Sequence, residues 1–197
     1  LSLLKDSSLR VRFHAAVALG KLRSAKAINP LLELVLKNDD DDAFLRHGAV
    51  MGLVGSTKTD PKVLLELTRS SHSSVRLAAI LALRRHADPG ISVFLKDEDL
   101  YLVTETARAI HDDFSIPDAL PALAEILDRS DLEGEPLIRR AINANFRVGR
   151  PVDAERLARY ASNLSAPENM RTTALACLAL WAQPPVLDAV EGRYREY

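Results

Sequence analysis

Cysteine is nearly absent from the 197-residue chain: Cys177 is the single one. That excludes an internal disulfide and a thiolate metal cluster. It fits a reducing compartment without requiring one. Aromatic residues make up only 5%, while Leu and Ala abound, which argues for helices packed through small side chains and against a β-rich core. Neither sign of charge dominates; the net charge of −1 excludes a global field that would draw the chain to nucleic acid or an anionic membrane. No apolar run approaches the roughly 18–20 residues that span a bilayer. No basic-then-apolar leader is present. The first residue is Leu1, so the chain is expected to be a processed product or part of a longer protein, which leaves the compartment open.

What is there is a repeat. Val11-Arg12 is followed by Ala15, Ala18 and Leu19. The same frame fits Leu45-Arg46 with Ala49, Gly52 and Leu53, and Val75-Arg76 with Ala79, Ala82 and Leu83. It continues through Leu102-Val103 with Thr106, Ala109 and Ile110, then Ile138-Arg139 with Ile142, Asn145 and Phe146, then Met170-Arg171 with Ala174, Cys177 and Leu178. Successive copies lie 27 to 36 residues apart, the length of a two-helix solenoid unit. Apolar residues at i, i+4, i+7 and i+8 mark one face of a helix. Small residues at i+4 and i+7 admit a close neighbour.

Each copy precedes an apolar segment with a proline near its start: Pro30, Pro61, Pro89, Pro117, Pro151 and Pro185. Proline suits a first helical turn, where its missing N–H would have had no partner. Polar turns with helix-entry residues separate the units, at Ser7-Ser8, Asp41-Asp42, 71–74 and 97–99. The opening Leu1-Ser2-Leu3-Leu4-Lys5-Asp6 matches the ends of later second helices, such as Phe94-Leu95-Lys96-Asp97. The chain is therefore expected to start inside a second helix.

A polar turn, then Val-Arg-x-x-Ala-Ala-x-Ala-Leu-Gly over residues 11–20, then a Pro-led helix, resembles the HEAT-like repeats of the phycobilin-lyase type. The resemblance covers essentially the whole chain. It implies an all-α fold: a right-handed α–α superhelix of about six helix pairs, one solenoid over residues 1–197, with 184–197 as the start of a linker to a following domain. It is specific for fold and poor for function, because such repeats serve scaffolds, lyases and DNA-repair proteins alike.

A narrower resemblance rests on Phe44-Leu45-Arg46-His47-Gly48-Ala49-Val50, Leu83-Arg84-Arg85, Glu105 to Ile110, Ile138 to Gly149 and Trp181. These look like the HEAT region of large bacterial membrane-bound dehydrogenase and haem-binding proteins. There the region lies between a sorbosone-dehydrogenase-like propeller and a cytochrome-c-type module. It implies a connector or docking segment, with haem elsewhere in the parent chain, and export to the periplasm. Cys-x-x-Cys-His is missing here, so no haem site carries over.

Individual candidates favour structural roles. The recurring Arg12, Arg46, Arg76, Arg139 and Arg171 are expected to bond to acceptors of a neighbouring repeat rather than form a cationic row for phosphates. None of His14, His47, His72, His86 and His111 pairs with another His at i, i+4, and there is no His-Glu-x-x-His. His111-Asp112-Asp113 resembles a metal set only superficially, at a helix end where polar residues are expected. The run Asn38 to Asp42 lacks the glycine and terminal glutamate of a calcium loop, and reads as a solvated turn and N-cap. Cys177 reads as a small core residue. Asn145 stands on a packed face and must find partners or lose roughly 1–3 kcal/mol; it could instead hold a peptide backbone. Asn143 stands out with it. Trp181 reads as a cap on the last repeat or a contact to a following domain. Asn163-Leu164-Ser165 is a chance-level glycosylation triplet. Arg84-Arg85, Arg139-Arg140, Arg147 and Arg150 raise nucleic acid as an alternative, weakened by the balanced charge.

The sequence thus predicts a non-catalytic interaction or connector scaffold. No catalytic, cofactor-binding or metal-binding residue is assigned. Its partner would be another protein or neighbouring domains of the same chain, with nucleic acid and a transmembrane segment disfavoured. The alternative is a lyase-like or nucleic-acid- or phosphate-binding protein that uses the concave face.

Overall fold

The structure, a computed structural model, describes residues 1–112 and 116–195. Among the described residues all regular structure is helical, apart from one isolated antiparallel bridge between Leu187 and Tyr194. The contacts divide the chain into two compact units, Leu1–Leu102 and Val103–Tyr197.

The first unit holds α1 (Leu9–Lys21), α2 (Ile28–Asn38), α3 (Ala43–Ser56) and α4 (Ser73–His86), with 3₁₀ segments at Ser2–Lys5, Ala25–Ala27, Pro61–Arg69 and Pro89–Lys96. Helix α5 (Leu100–His111) begins at its end. The second unit adds α6 (Leu120–Ala124), α7 (Glu135–Val148), α8 (Pro151–Ser162) and α9 (Glu168–Ala179), with 3₁₀ turns at Pro117–Ala119 and Glu125–Asp128. Helices α1, α3, α4, α5, α7 and α9 carry the six sequence copies.

Local chemistry sets the ends. The Asp42 carboxylate accepts from Leu45 N at 2.8 Å, an N-cap that satisfies one of the free amides of α3. Helix α7 stops at Gly149, whose φ of 71° is the left-handed region that glycine enters at little steric cost. Pro151 opens α8, and the Asp153 carboxylate accepts from Arg150 N at 3.0 Å.

The Pro-led second elements differ from expectation. Pro30 and Pro151 lie in α-helices, but Pro61–Arg69 and Pro89–Lys96 wind as 3₁₀. In the latter, Gly90 and the β-branched Ile91 and Val93 weaken the α-helix, while Ile91 and Phe94, three apart, both turn inward as a 3₁₀ turn allows. No helix starts at Pro185. There the chain runs irregularly, and the described residues 186–195 fold as a strap closed by the Leu187–Tyr194 bridge.

The repeat frame describes the core in five copies. Leu45, Ala49 and Leu53 are buried, as are Val75, Ala79, Ala82 and Leu83, then Leu102, Thr106, Ala109 and Ile110. So are Ile138, Ile142, Asn145 and Phe146, then Met170, Ala174 and Cys177. The first copy departs: Val11 is 36% exposed and Ala18 is exposed, and α1 buries Ala16 and Gly20 instead. Helix α1 meets α3 through this second face.

That meeting is unusually close. A Cβ on Gly20 would lie 2.5 Å from the Met51 carbonyl oxygen, and one on Gly52 would lie 2.8 Å from that of Ala16. Side chains that small remove the layer that usually separates two helix backbones. In the second unit the core gathers Ile138, Ile142, Phe146, Leu157, Met170 and Ala174, and Trp181 closes it with its ring 5.8 Å from that of Phe146.

Candidate functional site

Of the recurring arginines, Arg46 and Arg76 bond to residues of turns. Arg76 is buried; its Nε and Nη2 donate to the Asp97 carboxylate at 2.8 and 3.1 Å, and its Nη1 donates to Ser70 O at 2.8 Å. Hydrogen bonding and charge from Asp97 raise its pKa against the opposing effect of burial. Arg46 pairs with Asp40, and Arg171 donates to Ala161 O at 2.8 Å. Arg139 instead pairs with Glu135 one turn back on its own helix. Arg12 keeps a buried Nε with no hydrogen-bond partner among the described residues.

Asn145 is held by three contacts. Its amide nitrogen donates to Ala124 O at 2.9 Å and Ala141 O at 2.8 Å, and its oxygen accepts from Arg156 Nη1 at 2.9 Å. Arg156 continues to Asp128 at 2.7 Å and to Asp153 at 2.9 Å. Burial would raise the Asp153 pKa, but hydrogen bonds from Arg150 and Arg156 outweigh it and hold the carboxyl below its usual range. The buried amide thus serves as a junction between α6, α7 and α8.

The densest polar cluster forms where the strap meets α5 and α7 inside the second unit. His111, Asn143, Asp188 and Arg195 are all buried. His111 Nδ1 lies 3.0 Å from Asp112 Oδ1, and Arg140 clamps Asp112 with Nε and Nη2, each at 2.8 Å. Burial opposes ionisation of Asp112, yet His111 and Arg140 together hold its pKa well below the carboxylate range. Asn143 Nδ2 donates to Asp188 Oδ2 at 3.1 Å. Arg195 places Nε 2.9 Å from Asp188 Oδ2 and Nη2 2.8 Å from Glu191 Oε2, and Nη2 also donates to His111 O at 3.2 Å. The Val190 and Glu191 amides donate to Asp188 Oδ1 at 2.9 and 3.0 Å. Ligand-type atoms of His111, Asp188 and Glu191 lie within 4.8 Å of one another.

A cleft of about 970 Å³ opens in the same unit between the turn 128–135 and the turn 163–170. Ile138 and Met170, both nearly buried, are its apolar floor, with Leu127 and Tyr160 beside them. Asn163, Asn169, Arg129 and Arg159 supply polar groups at the rim. The rim cations are already paired, Arg129 with Asp131 at 2.6 Å and Arg159 with Asp128 at 2.8 Å.

Asp42 caps α3, Asn38 bonds with it, and Asp40 takes Arg46, so the acidic run is used in its own turn. Of the set His111-Asp112-Asp113, Asp113 lies outside the described residues. His47 stacks on Phe13 with ring centres 6.4 Å apart, and His86 Nε2 lies 3.0 Å from Thr57 Oγ1. Burial lowers the His86 pKa. Burial and the nearby Asp188 push the Cys177 thiol up to about 11, so it is not a ready nucleophile. Arg140 and Arg150 of the basic series are paired with Asp112 and Asp153, and Arg147 donates to His111 O at 3.5 Å. The segment 184–197, expected as the start of a linker, contributes buried Asp188 and Arg195 in its described part. Asp188, Glu191 and Arg195 were missed by sequence reasoning, because their partners lie far off in the chain; Arg195 and His111 are 84 residues apart.

Residues 1–54, which end within α3, match the family model for HEAT repeats. With the helical architecture, this match supports a HEAT-like repeat protein. Repeats of this kind generally mediate protein interaction as scaffolds. No curated protein sequence matches the chain. Among the described residues no helix is long and apolar enough to cross a membrane.

Proposed function

We propose that the chain is a non-catalytic protein-binding scaffold, and that the cleft bounded by Ile138, Tyr160 and Met170 receives an extended segment of a partner protein. The observation that carries this reading is the combination of an apolar floor with a rim whose arginines are already paired with carboxylates. Such a lining suits a peptide, which brings one or two apolar side chains and its own amides. It does not suit a polyphosphate, which needs excess cations. The volume, about 970 Å³, lies at the upper end of the roughly 300–1,000 Å³ range of small-molecule sites.

The experiment is selection of peptides from a random displayed library against the purified chain, followed by affinity measurements on cleft variants. Tyr160→Ala and Asn163→Ala should each weaken the selected peptides several-fold. Peptides that bind these variants as well as the parent would move the docking site elsewhere. Steeply salt-dependent binding of duplex DNA, with no peptide binding, would favour the nucleic-acid alternative.

The narrower reading is that this scaffold connects modules of a haem-binding or dehydrogenase-like protein. Its support is the sequence resemblance over residues 44–50, 83–85, 105–110 and 138–149. The coding sequence on both sides of residues 1–197 tests it: a propeller or a Cys-x-x-Cys-His module should be found there, and neither would remove the redox context.

A further inference from the structure

Independently of the cleft, the cluster under the strap contains a ring nitrogen left without a hydrogen-bonding group. His111 Nε2 is fully buried and has no hydrogen-bond partner among the described residues. It stands 3.9 Å from Asp188 Oδ2. The other ring nitrogen, Nδ1, lies 3.0 Å from Asp112 Oδ1. The Asp112 oxygens take two N–H groups of Arg140 and accept, so Nδ1 is the donor and Nε2 is the ring nitrogen turned toward Asp188. Nε2 and the Asp188 oxygen face each other across a gap too wide for a hydrogen bond. Asn143 Oδ1 is a buried acceptor with no partner among the described residues, while its Nδ2 donates to Asp188 at 3.1 Å.

Asp188 Oδ2 already has Arg195 Nε at 2.9 Å and Asn143 Nδ2 at 3.1 Å, whereas His111 Nε2 has no partner among the described residues, and a metal ion would supply one. Bonds of about 2.0–2.2 Å from an imidazole nitrogen and a carboxylate oxygen to zinc together span up to about 4.2 Å. The 3.9 Å between His111 Nε2 and Asp188 Oδ2 lies inside that span, and a tetrahedral ion, whose ligand atoms stand about 3.4 Å apart, would draw the two together by about 0.5 Å. Glu191 has a carboxylate oxygen within 4.8 Å of the other two ligand atoms, and would join them on release from Arg195. The support behind His111 is what a metal-ligating histidine requires: a carboxylate on Nδ1 that fixes tautomer and ring plane, itself held by Arg140. One imidazole with two carboxylates suits a divalent first-row ion.

We propose that His111, Asp188 and Glu191 form a binding site for one divalent first-row metal ion. The Arg195 guanidinium, on both carboxylates at 2.9 and 2.8 Å, competes with that ion for them. Two cations do not share these oxygens at close range, so metal loading displaces Arg195 from at least one carboxylate. Because His111 is fully buried, the ion reaches it when the strap of residues 186–195 opens.

The test uses the full chain, treated with chelator and then titrated with zinc chloride. Calorimetry should show one zinc per chain, and nuclear magnetic resonance should show the ring signals of His111, among the five histidines, shifting with the same saturation. Arg195→Gln should tighten binding at least tenfold by removing the competitor, and His111→Gln should weaken it at least tenfold. Binding seen only in Arg195→Gln, with the His111 shift, also supports the site. Saturable zinc without a change at His111 overturns the proposal, and so does no saturable zinc in either the parent or Arg195→Gln. An Arg195→Gln affinity no higher than the parent's overturns the competition. The His111 signal is read first in the unaltered chain, and in Arg195→Gln a circular dichroism spectrum matching the parent's shows that the fold is kept.

Discussion

Gly55 of α3 lies against the backbone of Gly20 of α1 so closely that a Cβ at position 55 would collide with the Gly20 carbonyl. The obstacle is backbone on both sides, so no flexible side chain can yield. Gly55→Ala must push the two helices apart. The expected cost is on the order of 1–3 kcal/mol, typical of overpacking, despite the gain in helix propensity. Urea denaturation followed by circular dichroism checks it; a stabilised variant would show that the contact is looser than described.

Asn145 supports a second prediction. Asn145→Leu fits a helix and an apolar face but removes the acceptor of Arg156 Nη1 and the donor to Ala124 O. Leaving those buried groups under-satisfied is expected to cost about 1–3 kcal/mol. Combining it with Arg156→Met should cost less than the two single losses added together, since each change removes the other's partner. Additive losses in that double-mutant cycle would count against the junction.

The Asp112 carboxyl, held down by His111 and Arg140, makes stability depend on pH in the acid range. Its folded pKa lies below the unfolded value of about 3.9. The folded state therefore binds fewer protons there, and the stabilisation is complete above the unfolded pKa. It is lost as pH falls below about 4 toward the folded value. Asp112→Asn should flatten the acid limb of a stability–pH curve while lowering stability at neutral pH. An unchanged acid limb would place the titrating group elsewhere.

Cys177 should resist thiol reagents. With its pKa pushed up to about 11 and its side chain nearly buried, almost no thiolate exists at pH 8. Labelling by a disulfide reagent should follow global unfolding and accelerate with urea in proportion to the unfolded fraction. Fast labelling in native buffer would show a local opening around α9 or the strap.

Much of the helical frame was legible because packing repeats itself. Val75, Ala79, Ala82 and Leu83 are buried for the same reason as Leu45, Ala49 and Leu53: a two-helix unit must turn one face to its neighbour. The first copy escaped the rule, since α1 uses Ala16 and Gly20 against α3 and leaves Val11 36% exposed. Proline at the start of a segment announced a turn of helix but did not distinguish α from 3₁₀, because both accept it in the first turn. Asn145 announced its own need for partners, though not that Arg156 would be one. The cluster under the strap was illegible. Asp188 and Arg195 sit in a stretch with no periodicity, and what makes them matter is His111, brought to them only by the fold.

The strap also sets the order in which the second unit can be completed. His111 and Asn143 wait for partners at Asp188 and Arg195, the latter 84 residues after His111. At a synthesis rate of about 5–20 residues per second, that interval lasts several seconds. Until residue 195 has left the ribosome, the buried contacts of His111 and Asn143 with the strap cannot form, and the polar end of α5 and α7 stays open to water.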